Sequence, residues 1–277
     1  MRKDAQLFFG IILLLFLSPM ILDAFSSTPQ KIVIAEQPEP EENQVMVTAS
    51  LQNEVPSMIE QTEYKNALLL FTHSHEAFVP IVKSATGQTA VYSPTSNIMG
   101  FEDTIKNHFA LNFIQTEFLA IDTMDEMKKT NRTFSEAYDV VRPFLAAQVK
   151  GKEYDLIIDL HRDSATRNTT TITRNNQSYG KLYFVVGEDH PNFKLNKSLA
   201  ENLSVQLNEM VPGISRGVIG KKGDNVDGIY NQDLAKNMVL IELGGIENSQ
   251  EEINRTISVL AKAISIILYN QTSLSSI

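Results

Sequence analysis

Residues 154–164 read YDLIIDLHRDS: an almost uninterrupted apolar run, Leu156 to Leu160, that ends in His161, Arg162 and Asp163. A short apolar run without strict alternation, closed by polar residues, marks a strand covered on both faces. Three other segments share this character: Ala67–Phe71 (ALLLF), Leu182–Val186 (LYFVV) and Met238–Leu243 (MVLIEL), the last stopped by Gly244-Gly245. Helical patterns lie between and after them. Gly100–Leu111 is one, followed by a short extended segment over Asn112–Phe118. Thr133–Lys150 is a second, kinked or interrupted at Pro143. Asn192–Val211 is stopped by Pro212-Gly213, and Ser249–Tyr269 opens on a capping box in which Glu252 follows Ser249. Apolar strands alternating with helices predict an α/β fold, a single three-layer domain with a mainly parallel sheet, over residues 66–270.

Outward from this core the composition changes. Arg2 and Lys3 precede an uncharged run from Leu7 to Leu22 (LFFGIILLLFLSPMIL). As a helix that run spans about 24 Å, a little short of a bilayer core of about 30 Å, and the flanking Ala5, Gln6, Ala24 and Phe25 complete a crossing. Basic residues before it and acidic residues after it place the rest of the chain outside. Residues 1–25 are therefore expected to form a single transmembrane helix in the cytoplasmic membrane, with an extracytoplasmic domain beyond. The competing reading is a signal segment cleaved near Ala24-Phe25-Ser26. Residues 26–65, rich in Pro, Glu, Gln and Ser, read as a flexible acidic linker.

The bulk numbers exclude several functions. A net charge of −9 opposes sequence-independent binding to nucleic acid, which needs a basic surface. The chain has no cysteine, so disulfides, thiolate metal sites and cysteine nucleophiles are absent. Any metal is held by nitrogen and oxygen.

Three polar sites follow or end three of the strands: His73-Ser74-His75-Glu76, His161-Arg162-Asp163, and Glu242. In open α/β sheets ligands bind beyond the carboxyl ends of strands, so distant residues converge there. His73 and Glu76 form an H-x-x-E pair; with His161 they make the two-histidine, one-carboxylate set that suits a catalytic zinc ion with an open position. Glu242 interrupts an apolar strand, where a carboxylate is costly without purpose, and is the candidate general base. Each residue also has a plain structural reading. H-x-x-E arises by chance, His161 suits a hydrogen-bonded core histidine, and Glu242 suits a partner for buried Arg162 or Arg216. His75 rivals His73 as a ligand. His108 sits inside a helix and reads as structural, while His190 follows a strand and is a candidate to line the cleft.

Six segments occur in an order that resembles the stage II sporulation protein P family: THSHEAFVP (Thr72–Pro80), DLHRDS (Asp159–Ser164), FVVGEDHPN (Phe184–Asn192), PGISRGV (Pro212–Val218), YNQDL (Tyr230–Leu234) and LIELGGIEN (Leu240–Asn248). The resemblance spans the whole globular part. It implies an amidase-like fold, one Zn2+ ion, and cleavage of the amide between N-acetylmuramic acid and L-alanine in peptidoglycan, with some action on peptide cross-links. It also implies a septal or sporulation role beside a membrane-bound lytic transglycosylase and other sporulation membrane proteins. The family's H-T-H-x-x-E-S-F motif falls on Phe71–Phe78, keeping His73 and Glu76 but placing Phe71 for its first histidine and Ala77 for its serine. Glu102, opening a helix, is an alternative to Glu76 in the metal shell. Arg162, Arg216 and Asn231 fall in family motifs and are candidates for contact with substrate. Two other functions suit the same residues: a zinc carboxypeptidase on stem peptides, and a non-catalytic wall-binding scaffold.

Overall fold

The computed structural model describes residues 63–275. The anchor expected over residues 1–25 and nearly all of the linker lie outside them. Among the described residues no helix is long and apolar enough to cross a membrane.

The chain enters strand β1 (Lys65–Leu70), passes helices α1 (Val79–Thr86) and α2 (Glu102–Ala110), and returns in β2 (Ile114–Phe118). Helices α3 (Thr123–Lys129) and α4 (Ala137–Gly151) lead to β3 (Leu156–Asp163). A single helical turn, α5 (Arg167–Thr170), and a hairpin of β4 (Thr171–Arg174) and β5 (Gln177–Gly180) precede β6 (Leu182–Gly187). Helix α6 (Phe193–Met210), β7 (Ser215–Lys221), β8 (Met238–Gly245) and α7 (Gln250–Ser275) complete the domain. Pro143 lies inside α4 without ending it. The residue is exposed, so the carbonyl whose partner proline removes faces water. The capping box forms as expected: Glu252 accepts from the Ser249 backbone at 3.0 Å, and the Glu252 N–H reaches the Ser249 hydroxyl at 3.4 Å.

The main sheet has six strands in the order β2-β1-β3-β8-β6-β7. It is mainly parallel, as the alternation of strands and helices predicts, but β6 runs antiparallel to β8. Parallel neighbours require a long crossover connection. Between β3 and β6 the chain makes only α5 and a hairpin, so β6 starts from the edge where β3 ends and runs back. Its turn, Asn175-Asn176, has φ of 48° and 60°, the left-handed pair that a tight hairpin requires.

The two faces of the sheet bury different cores, because side chains alternate along each strand. On one face Leu69, Ile158, Val239 and Phe184 pack with Phe109 of α2, Leu203 of α6 and Ile257 of α7. On the other, Leu68, Leu70, Ile157 and Met238 pack with Val141 and Leu145 of α4. The ladder of β3 and β8 pairs Ile157 with Met238, Asp159 with Leu240 and His161 with Glu242. These alternate residues share the smaller face. Apolar at one end and polar at the carboxyl end, they lay the floor of a site.

Candidate metal centre

His161 and Glu242 are direct cross-strand partners, and Tyr183 on β6 is the partner of Glu242 on its other side. Three adjacent strands thus present a histidine, a carboxylate and a phenol in one row. β1 ends beside them and delivers Thr72 to Glu76. Thr72 donates twice to Asp159, from its backbone N–H at 3.0 Å and its hydroxyl at 2.7 Å. Glu76 turns back over β3, where its Oε2 accepts from the Arg162 backbone at 2.7 Å and lies 3.9 Å from His161 Nδ1. The ring of His73 meets that of His161 edge-on at 5.2 Å.

Of the two histidines on the first loop, His73 is the one that faces this cluster. His75 turns away to Asp122, 2.9 Å from Nε2. His75, Asp122 and Asp125 have ligand atoms within 4.8 Å of one another, the one such group among the described residues. His75 and Asp122 are engaged locally, however. Asp122 Oδ1 caps α3 through the Asp125 N–H and accepts from Ser74, while Oδ2 takes His75. Glu102 points elsewhere, pairing with Lys106 at 3.9 Å and lining a groove with Thr116 and Glu117. His190 follows β6, whose reversed direction brings it out at the opposite edge of the sheet from Glu242. That placement corrects the expectation that it lines the cleft.

The electrostatics of the cluster are those of a site short of positive charge. Burial pushes the Glu242 carboxyl up to about 7, with Glu76 and Asp163 adding to it and His161 opposing. Burial likewise raises Glu76. Burial works against the His161 imidazolium, but Asp159, Glu76 and Glu242 outweigh it and lift the ring to about 10. His73 is driven down to about 3 by burial and by the charge of His161. One ring is thus neutral and free to ligate, while the other holds a proton that a cation would replace. Among the buried polar atoms without a hydrogen-bond partner are His73 Nδ1, His161 Nε2 and Glu242 Oε2 of this cluster. His161 Nε2 lies 3.1 Å from Asp159 Oδ1 but out of line for a bond. Unpartnered nitrogen and oxygen donors within a buried, acid-rich pocket fit a divalent cation.

The remaining sequence candidates surround the cluster. Arg162 is buried and committed within the chain: its guanidinium donates to Val91 O at 2.8 Å and lies 5.7 Å from the Tyr92 ring. Arg216 reaches Asp163 at 2.5 Å and covers the Tyr183 ring at 4.5 Å, beside Glu242. Asn231 spends its amide on Tyr138 O and Arg142, at 2.9 and 2.8 Å. Sequence reasoning passed over the aromatic wall. Phe134 stacks flat on His73 at 4.2 Å, Tyr138 lies over His161 at 6.2 Å, and Tyr230 meets Tyr138 edge-on at 5.1 Å. Phe134 and Tyr138 looked like ordinary helix residues. Tyr183 needed the direction of β6, which no periodicity carries.

A mainly parallel α/β domain with histidines and carboxylates gathered at its strand ends defines the class of this protein. The family model for stage II sporulation protein P matches residues 22–265. The stage II sporulation protein P of Bacillus subtilis (strain 168) is 30% identical over 202 residues, 73% of this chain and 50% of that protein. The chain belongs to the stage II sporulation protein P family, and it spans about half the length of that curated relative. Solved structures it resembles include the CwlD amidase of Clostridioides difficile in complex with the GerS lipoprotein. The TM-score there is 0.43 at 12% identity, covering 77% of this chain and 100% of that one. For the N-acetylmuramyl-L-alanine amidase Ami1 of Mycobacterium smegmatis the TM-score is 0.44 at 13% identity, covering 75% and 98%.

Proposed function

We propose that this chain is a zinc-dependent peptidoglycan hydrolase of sporulation, cutting the amide between N-acetylmuramic acid and L-alanine of the stem peptide. In this reading residues 1–25 hold it in the cytoplasmic membrane, the linker gives it reach, and a lytic transglycosylase works on the same wall. The observation that carries the reading is the pairing of His161 with Glu242 on adjacent strands, with His73 and Glu76 folded over them. His73, Glu76 and His161 would hold the metal. Zinc, when bound, supplies Lewis acidity that polarises the scissile carbonyl and acidifies water.

The chain's own residues do the rest. Glu242 takes the proton from the attacking water and hands it to the leaving amide nitrogen. Its burial keeps it more basic than an exposed carboxylate, which suits a group that must both accept and donate near neutrality. Asp159, fixed by two bonds from Thr72, holds its carboxylate 3.1 Å from His161 Nε2 and favours positive charge there. Phe134 and Tyr138 wall the histidines from solvent, so charges inside the pocket are felt more strongly. Arg216 stands at the rim beside Glu242, placed to meet a carbonyl or carboxylate oxygen.

The test is muropeptide analysis of purified peptidoglycan incubated with the zinc-loaded protein, with metal content read by mass spectrometry. Release of intact stem peptides beginning at L-alanine, and one zinc per chain, are the expected results. Free amino acids as product would point to a carboxypeptidase. Wall binding with neither zinc nor digestion, even with a transglycosylase added, would leave a scaffold as the account.

A further inference from the structure

We propose that Tyr230 is a substrate-positioning residue, its hydroxyl donating to a carbonyl or carboxylate oxygen of the bound peptide stem; this rests on the hydrolase reading above. Tyr230 and Asn231 both have left-handed backbone, with φ of 54° and 55°. That region is costly for a side chain as bulky as tyrosine and persists only where its surroundings enforce it.

The enforcement is extensive. Asp227 accepts from the backbone N–H groups of Ile229, at 3.1 Å, and of Tyr230. Asn231 ties the turn to α4 through Tyr138 O and Arg142. Arg142 also grips Asp233 in a fork, at 2.8 and 2.6 Å. Gln232, buried, bonds the β6 backbone at Val185 O and Gly187 N, at 2.8 and 3.1 Å. A turn needed only for its path would be cheaper with glycine, so the strained side chain itself is what this bracing supports.

Tyr230 lines a cavity of about 380 Å³ with His73, Phe134, Tyr138, Asn225 and Asp227. Its ring abuts Tyr138, which lies over His161. Among the described residues its hydroxyl has no hydrogen-bond partner. Partial burial and the charges of Asp227 and Glu242 hold the phenol protonated, so it is a donor across the neutral range. An oxygen acceptor bound beside His73 is the partner this arrangement lacks.

The experiment compares the zinc-loaded chain of residues 1–277 in detergent with Tyr230→Phe and Tyr230→Gly, using a soluble disaccharide-peptide as substrate. For Tyr230→Phe we expect KM to rise about tenfold, kcat to change by less than about threefold and the melting temperature to stay fixed, the loss of one hydrogen bond. Tyr230→Gly, relieved of strain, should melt at the same or a higher temperature yet show at least the same rise in KM. Wild-type KM in Tyr230→Phe overturns the proposal, as does a fall in melting temperature that accompanies the loss. If the wild type cleaves nothing, calorimetric binding of the same ligand decides. A tenfold weaker Tyr230→Phe keeps the inference while removing the hydrolase reading; equal binding, or none, overturns it.

Discussion

Glu242 of β8 stands directly opposite His161 of β3, and Tyr183 of β6 flanks it on the other side. The carboxylate is thereby fixed between two strands with one oxygen unpartnered. Glu242→Gln keeps the shape and removes the basicity. We expect it to bind zinc as the wild type does and to lose hydrolysis by about 10²- to 10⁴-fold, the usual weight of a positioned general base. Metal analysis beside muropeptide assay checks both halves. A variant that still digests wall at the wild-type rate would remove Glu242 from the reaction.

The two histidines of the first loop have opposite surroundings, which makes them separable. His73 faces His161, whereas His75 is paired with Asp122. His73→Ala should therefore lose zinc and the stabilisation zinc confers. A ligand at a thousand times its dissociation constant adds about 4 kcal/mol to stability, so chelation should lower the wild-type melting temperature and leave that of His73→Ala unmoved. His75→Ala should keep zinc and lose about 1 kcal/mol, the bond to the α3 cap. Melting curves with and without chelator distinguish them, and the reverse pattern would move the metal to the His75 loop.

Asp159 is fully buried under His161 and accepts both bonds of Thr72. Asp159→Asn retains the volume but turns one acceptor into a donor facing the Thr72 hydroxyl. We expect a loss of about 1–3 kcal/mol in denaturant unfolding. Because its charge lies 3.1 Å from the ring proposed to hold zinc, zinc affinity should fall by about 10- to 100-fold. Unchanged zinc affinity would show that His161 does not depend on that charge.

Much of this arrangement was legible in the sequence, and the limits have physical causes. Strands β1, β3, β6 and β8 announced themselves because doubly covered strands are continuous apolar runs. The polar residues at their ends, His73, Glu76, His161 and Glu242, stood out because charge inside or abutting such a run is costly. Strand β7 did not stand out: Arg216 and Lys221 sit in it and several of its side chains are exposed at the sheet edge. The direction of β6 is a property of its connection, invisible to periodicity, and with it went Tyr183 and the true position of His190. The wall of Phe134, Tyr138 and Tyr230 comes from two separate segments, Phe134 and Tyr138 from one helical stretch and Tyr230 from a distant turn, which only the fold joins. The glycines after Glu242 read as a stop, but β8 runs through Gly245. Gly244 adopts φ of 64°, and a Cβ at Gly245 would strike the Ala165 carbonyl and Thr170, so close packing rather than termination accounts for that glycine.

The start of α7 offers a test of stability apart from the site. Glu252 is buried and accepts from the Ser249 N–H, Asn248 Nδ2 and the Arg167 guanidinium. Burial alone would raise its carboxyl, but these donors and the charge of Arg167 outweigh it and hold it below the ordinary range. A carboxyl lowered in the folded state contributes stability that is complete above its unfolded value, near 4.5, and is lost as pH falls through the folded value. Wild-type protein should therefore lose stability on acidification below about pH 4.5 in part through this residue. Glu252→Gln should be about 1–2 kcal/mol less stable at neutral pH, with the difference narrowing as the pH is lowered. Denaturant melts across pH 3 to 7 measure it. A difference that stays constant with pH would mean that the carboxylate's charge contributes nothing and that only the shape of the cap matters.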